Sequence, residues 1–391
     1  MRKILHFLAA AVVLAGLLVL AGCQKENWDR KGAKAVQFGV SAHSSAMTRT
    51  EYKEYTEGAS TQGIKWLNTD KIRIYSPNSA RRAAVENGPE TTENPYYYWA
   101  DYKIKPNSED QSKGTLENLS NDVDPTTNPA YDQEQVGESY YVGNGLIWLD
   151  DNQATFYGVY PKPGSDAGTG NTSAVPGTQG KFSFTIPALQ YYSEKGDMSY
   201  AFMTSKATAS KGQNVLMTFY PDFTAFEFFL KSTEEGVTLN DFYIRINDNS
   251  INNTTHLAGP FDVDVSGDKS YTFYDNSSSQ KYIHVNMGSG KDIPSGDDVA
   301  PLVFTVFALP RTLSKLRIEI EATYSSGTNK TWTLDLSKSD GTTINFTACS
   351  KHRLTGLLLP GGEWLITFAD GGMTVEEWIT NSDNNQTLVI E

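Results

Sequence analysis

The chain has 391 residues, of which 33 are basic and 46 acidic, for a net charge of −13. That acidic balance argues against nucleic acid as a partner, and two cysteines exclude a disulfide framework. Such a length suggests two or three domains, and 21 tyrosines with 32 glycines point to strands joined by polar loops. At the start, Arg2 and Lys3 precede an apolar run from Ile4 to Leu20, and small Ala21 and Gly22 follow. A basic end, an apolar run and a small-residue finish are the parts of a secretory signal. The run is also long enough for a membrane span, but small side chains ahead of the cut favour the signal. Residues 1–22 are therefore expected to be a signal peptide.

Leu20-Ala21-Gly22-Cys23 resembles the bacterial lipobox, whose cysteine receives a diacylglycerol. Each buried acyl CH₂ contributes about 0.8 kcal/mol, and more than one chain gives stable anchoring. Cys23 is thus expected to carry lipid, with residues 23–33 as a polar tether. Val36, Phe38 and Val40 alternate with Gln37 and Gly39, which predicts a strand over Lys34–Ser41. Ile64 and Trp66, then Ile72 and Ile74, predict two short strands around a turn at Asn68–Asp70. Asn78–Asn94 and Pro106–Gly137 read as loops, with an aromatic, strand-like stretch between them at Pro95–Ile104. Further strands are expected at Leu146–Leu149, Ala154–Tyr160 and Lys181–Ile186. Polar, small Gly196–Gly212 suggests a boundary, giving domains at 34–205 and 206–391. Beyond it, Val215, Met217 and Phe219 alternate, as do Phe226, Phe228 and Leu230, around a joint at Pro221-Asp222. Strand patterns then recur about every 10–15 residues, the signal of a sandwich or barrel. The expectation is all-β with two β-sandwiches.

Motifs for chemistry fail on inspection. Gly288–Asp292, "GSGKD", lacks the first phosphate-loop glycine and its Ser/Thr, and reads as a loop. Asp262–Asp268 opens like a calcium loop but has Phe273 where a bidentate Glu belongs. Phe261, Val263 and Val265 alternate with its aspartates, as in a half-buried strand. Histidines 43, 256, 284 and 352 are not at metal-ligand spacing with one another or with a cysteine. Cys349 reads as a small buried hydrophobe. No catalytic residue, metal or cofactor is implied. Tyr97, Tyr98 and Trp99 offer π-faces that stack on sugars, although aromatic residues are also common strand formers.

The lipobox and the stretches "KAVQFGVSAHSSAMTRT", "IKWLNTDKIRIYS", "NVLMTFYPDFTAFEFFL", "FTVFALPRTLSKLRIEI" and "INFTACSKHRLTGLLLPGGEWLITF" together resemble the fimbrillin-like lipoproteins of Bacteroidetes, subunits of the type V pilus. The resemblance implies two transthyretin-like β-sandwiches, no catalysis, and an outer-membrane lipoprotein that ends at the cell surface in a fimbrium. It implies that an Arg-specific protease removes the lipidated segment with the first strand, and that another subunit's C-terminal strand fills the groove by β-augmentation. Carried onto this chain, Lys34–Ser41 with Val36, Phe38 and Val40 is the strand that leaves. Arg49 is the cleavage point. The donor lies within Met373–Glu391, where Leu388 and Ile390 share one face. Expected partners are other pilus subunits, the outer-membrane lipid through acylated Cys23, and a host or bacterial surface receptor. The competing reading is a monomeric surface glycan-binding lipoprotein using Tyr97, Tyr98 and Trp99; a hydrolase is the third.

Overall fold

In the computed structural model, the structure describes residues 36–42, 65–77, 79–82, 96–97, 99–119, 133–136, 139–142, 145–148, 152–163, 173–174, 180–194, 196, 198–247, 255–296, 298–338, 344–359, 367–368, 373–377 and 388–390. Among the described residues the fold is all-β, with one short 3₁₀ turn and no α-helix.

Along the chain, β1 (Phe38–Ala42), β2 (Lys71–Tyr75), β3 (Trp99–Pro106), β4 (Lys113–Asn118) and β5 (Gln153–Tyr160) lay down a first unit. The chain then leaves it through β6 (Lys181–Ile186) and β7 (Leu189–Tyr191), and returns in β8 (Met203–Ser210) and β9 (Val215–Pro221). The seven strands of this unit close on themselves in the order β1-β9-β8-β5-β2-β3-β4. The first unit, expected as a β-sandwich, closes into a ring, because β1 pairs on both sides, parallel to β9 and antiparallel to β4. Closure removes the sheet edges that an open sandwich leaves unpaired.

The second unit contains β10 (Thr224–Ser232), β11 (Val237–Ile246), β12 (Gly259–Asp264), β13 (Ser270–Phe273), β14 (Tyr282–Ile293), β15 (Leu302–Ala308), β16 (Arg311–Leu313), β17 (Lys315–Thr323), β18 (Asn329–Lys338), β19 (Ile344–Phe346), β20 (Ser350–Leu359), β21 (Thr367–Phe368), β22 (Met373–Glu377) and β23 (Leu388–Ile390). One sheet runs β7-β14-β11-β17-β18-β23, and a second runs β15-β10-β20-β21 with β22 also on β20. Phe228 on β10 and Phe304 on β15 meet Phe242 on β11 at ring distances of 4.6 and 4.8 Å, so the two sheets face across a shared aromatic core. This half is a two-layer sandwich.

The units are interleaved. β6 pairs with β12 of the second unit, while Phe182 on β6 lies 5.8 Å from Tyr75 on β2. β8 and β9 reach to Pro221 yet belong to the ring, so the ring takes strands from both sides of the 205/206 position. Two local expectations change. Lys65–Leu67 is not a strand: Trp66 is fully buried, but its N–H donates to the Gln111 carbonyl at 2.8 Å outside any ladder. The turn after it is closed by Asp70, whose carboxylate accepts the Leu67 N–H at 2.8 Å. Gly288–Asp292 is strand rather than loop, lying on β14 where the pairing with β11 shifts register, with Gly288 and Gly290 at φ of 68° and 92°.

His352 on β20 is fully buried, stacked on Phe226 and edge-on to Phe346, with its Nε2 3.0 Å from Ser350 Oγ. Val375 lies opposite it in the ladder, and the charged Glu227, Lys351 and Arg353 stand at alternate positions of the paired strands. Burial pulls the imidazole down from its ordinary 6.5 to about 3. The unfolded chain therefore takes the proton first. The stabilisation from a neutral buried His352 is whole above pH 6.5 and is lost as pH falls toward 3, at up to about 1.4 kcal/mol per pH unit. Acid titration of unfolding free energy is expected to show this slope, and His352→Phe is expected to flatten it between pH 6 and 4.

Candidate functional site: the seat of the first strand

Alternation in the sequence sets β1 with one face inward. Val36, Phe38, Val40 and Ala42 are 7, 6, 1 and 6 % exposed, while Gln37 is exposed and Gly39 and Ser41 are half-buried. Fully burying a Val or Phe side chain contributes about 1.5–3 kcal/mol, so the strand is held chiefly by its inner face. Phe38 packs edge-on against Tyr102 of β3 and Phe156 of β5, each at 5.2 Å. Tyr102 is itself fixed: its hydroxyl accepts the Leu146 N–H at 2.8 Å, and the Leu146 carbonyl accepts the N–H of Val36 at 2.9 Å.

Both edges are laced. Phe38–Ala42 run in register with Val215–Phe219 of β9, and Gly39–Ser41 pair with Thr115–Lys113 of β4. Ser41 Oγ meets Thr218 Oγ1 at 3.0 Å, and the Ala42 N–H donates to the Ser112 carbonyl at 2.8 Å. Gly114, opposite Val40, has no room for a side chain, since a Cβ there would stand 2.5 Å from the Lys105 carbonyl oxygen. On the outside, Leu216 of β9 is 60 % exposed beside Gly39.

β23, which carries Leu388 and Ile390, pairs antiparallel with Lys338–Leu336 of β18 at the outer edge of the six-stranded sheet. Among the described residues it is therefore bound along one side, whereas β1 is bound along two. Tyr96–Tyr97 pair as backbone with Arg82–Arg81. Trp99 begins β3 and is half-buried, with the Arg73 guanidinium 3.8 Å above its ring. Arg73 is locked by a two-pronged contact with Asp101 at 2.6 and 2.9 Å. One face of the Trp99 ring is thus already occupied. Cys23, Arg49 and Tyr98 lie outside the described residues, as do the side chains of Tyr97, Leu388 and Ile390.

Sequence reading missed β4, one of the two strands that hold β1. "KGTLEN" has a single large apolar side chain, Leu116, and shows no alternation. Its only signal was Gly114 within an otherwise polar stretch. Cys349 is buried as expected, at φ 61°, with its thiol donating to the Pro221 carbonyl at 3.2 Å and pushed up to about 12 by burial, so it is inert as a nucleophile. Among the described residues no group of three or more His, Cys, Asp or Glu gathers as a metal site.

No family model and no curated protein matches the chain. Among solved structures, a candidate cell adhesion protein from Bacteroides ovatus is similar at 14 % identity and a TM-score of 0.48, over 90 % of this chain and 100 % of that one. Another from Bacteroides uniformis is similar at 12 % and 0.44, over 88 % and 99 %. A fimbrial protein from Bacteroides ovatus is similar at 13 % and 0.32, over 83 % of this chain and 48 % of that one. The chain's structural neighbours are thus Bacteroides proteins named for cell adhesion and fimbriae, at low identity.

Proposed function

We propose that the chain is a non-enzymatic fimbrial subunit, structural or accessory, that is exported as a lipoprotein on Cys23 and assembles by exchange of its first strand. The two β units are then counterparts of two transthyretin-like domains. The observation that carries this reading is that, among the described residues, β1 alone joins β4 to β9. Its removal opens the ring, exposes two unpaired strand edges and uncovers the apolar trough that Val36, Phe38 and Val40 fill. Such a trough is unstable in water, so a second chain's strand has both a ladder and a row of pockets to occupy. The one-sided attachment of β23 suits it to leave its own sheet as the donor, with Leu388 and Ile390 entering the vacated pockets. Arg49 follows β1 and is the cut that frees it. The product stands at the outer-membrane surface, with other subunits as partners.

Treatment of the purified chain with an Arg-specific protease tests this. A single cut near Arg49, loss of residues ahead of it, and a shift to multimers on gel filtration are expected. A cut chain that releases its first strand yet stays monomeric would overturn strand exchange. Saccharide binding abolished by Tyr97→Ala, Tyr98→Ala or Trp99→Ala would then favour the monomeric glycan-binding lipoprotein.

A further inference from the structure

Asp222 sits on the short joint between β9 and β10, where the chain passes from the ring to the sandwich. It is fully buried, and its backbone N–H donates to the Phe202 carbonyl at 2.9 Å. One carboxylate oxygen, Oδ1, is met by Lys269 Nζ at 2.5 Å and accepts the Tyr271 hydroxyl at 3.2 Å. The other, Oδ2, is buried with no hydrogen-bond partner. Lys269 comes from the turn between β12 and β13, and its Nζ lies 5.9 and 5.8 Å from the ring centres of Tyr220 and Tyr271.

This pair differs from the cluster around Glu227. Glu227 has a cation on each oxygen, Lys351 on Oε1 and Arg353 on Oε2. Asp222 has one cation, on one oxygen, and its second oxygen faces a sealed space. A buried ion pair repays its desolvation only when the remaining lone pairs are satisfied. Burial pushes the Asp222 carboxyl up from its ordinary value, and the Lys269 charge opposes that only in part. A neutral link between the two side chains removes both charges and keeps the contact. The atoms are placed for one. A C–O bond is about 1.2 Å long, so Nζ stands within about 3.7 Å of Cγ at any angle. That is close to the near-attack separation of about 3–3.5 Å, at which effective molarities reach about 10⁵–10⁸ M.

We propose that Lys269 and Asp222 become joined by an intramolecular amide bond. Lys269 Nζ bonds to Asp222 Cγ, the Cγ–Oδ1 bond breaks, and two of the three ammonium protons leave with Oδ1 as water. Oδ2 remains as an uncharged amide carbonyl, and no oxidant or co-reactant is consumed. The Tyr271 hydroxyl, which burial pushes far up from its ordinary value and so keeps protonated, holds the departing oxygen. The link ties the β6-β12-β13 sheet to the point where the two units meet, and constrains the unfolded chain as a disulfide does. It rests on neither β1 nor strand exchange. Tryptic mapping of the denatured full chain by mass spectrometry tests it, since trypsin does not cut after an amidated lysine. Gly212–Lys231 and Ile246–Lys281 are expected as one branched species, lighter by one water than the two peptides together, with fragmentation placing the bond between Asp222 and Lys269. In Lys269→Arg the two are expected to separate, with cleavage restored at position 269. The digest of the parent chain decides by itself, so a variant that folds poorly leaves the test standing. Recovery of free Gly212–Lys231 from the parent, with cleavage after Lys269, overturns the bond. So does a branched species that survives Lys269→Arg.

Discussion

Phe38→Ala is expected to destabilise the first unit by about 3–5 kcal/mol, the largest effect of any single truncation on β1. The ring is 6 % exposed and meets Tyr102 and Phe156 edge-on at 5.2 Å. Such aromatic pairs add about 0.5–1.5 kcal/mol each beyond buried area. A domain's whole stability is about 5–15 kcal/mol, so the variant keeps a thin margin. Gln37→Ala, one residue away on the exposed face, is expected to change stability by less than about 0.5 kcal/mol. Urea unfolding of the two variants gives the comparison; equal losses would mean that the strand is not held by its inner face. The same substitution has an opposite consequence for assembly. Once the chain is cut after β1, the weakened resident strand leaves sooner, so Phe38→Ala chains are expected to multimerise faster than the parent when followed by light scattering. An unchanged rate with the stability loss intact would confirm the seat and refute release of β1 as the limiting event.

Why β1 was legible and its surroundings were not is a matter of which interactions are local. A strand with one buried face prints a period of two into the sequence, and Val36, Phe38 and Val40 show it. The joint at Pro221-Asp222 was legible for the same reason, because the alternation changes phase on either side of it. Pairing partners leave no such print. "KFSFTIP" reads as a strand, but nothing in it says that it joins Gly259–Asp264, far along the chain, on one side and Ser173–Ala174 on the other. Closure of the ring was invisible too, since it depends on polar β4 lying beside Gly39–Ser41. Trp66 reads as a strand residue because Ile64 and Trp66 alternate around polar Lys65, whereas the Trp66 N–H donates to the Gln111 carbonyl outside any ladder.

Glu227→Ala is expected to cost the second unit about 3–5 kcal/mol. Phe226 and Phe228 face the aromatic core, so Glu227 between them points to the opposite side of β10, and that side is sealed as well: Glu227 is 6 % exposed. One carboxylate there holds two cations, Lys351 Nζ and Arg353 Nε, each at 2.6 Å. Both cations come from β20, which runs parallel to β10, and Arg353 stands directly opposite Glu227. Lys351 is wholly buried, so removing the carboxylate takes away the charged acceptor 2.6 Å from its ammonium where water does not replace it. A buried ion pair contributes little over an apolar pair of equal volume, but breaking one from a single side is severe. It follows that Glu227→Gln, which keeps the shape and removes the charge, is expected to lose nearly as much as Glu227→Ala. Combining it with Lys351→Met is expected to lose less than the sum of the two single changes, because both single changes break the same ion pair. Guanidinium unfolding of the four chains closes that cycle. Losses below about 1 kcal/mol for both Glu227 variants would show that water reaches this face of the sheet. Additive losses would show that Lys351 draws its compensation elsewhere. A cluster so tightly held on a strand flanked by β15 and β20 fixes the register of β10 against β20, and that register in turn sets Phe226 and Phe228 into the core.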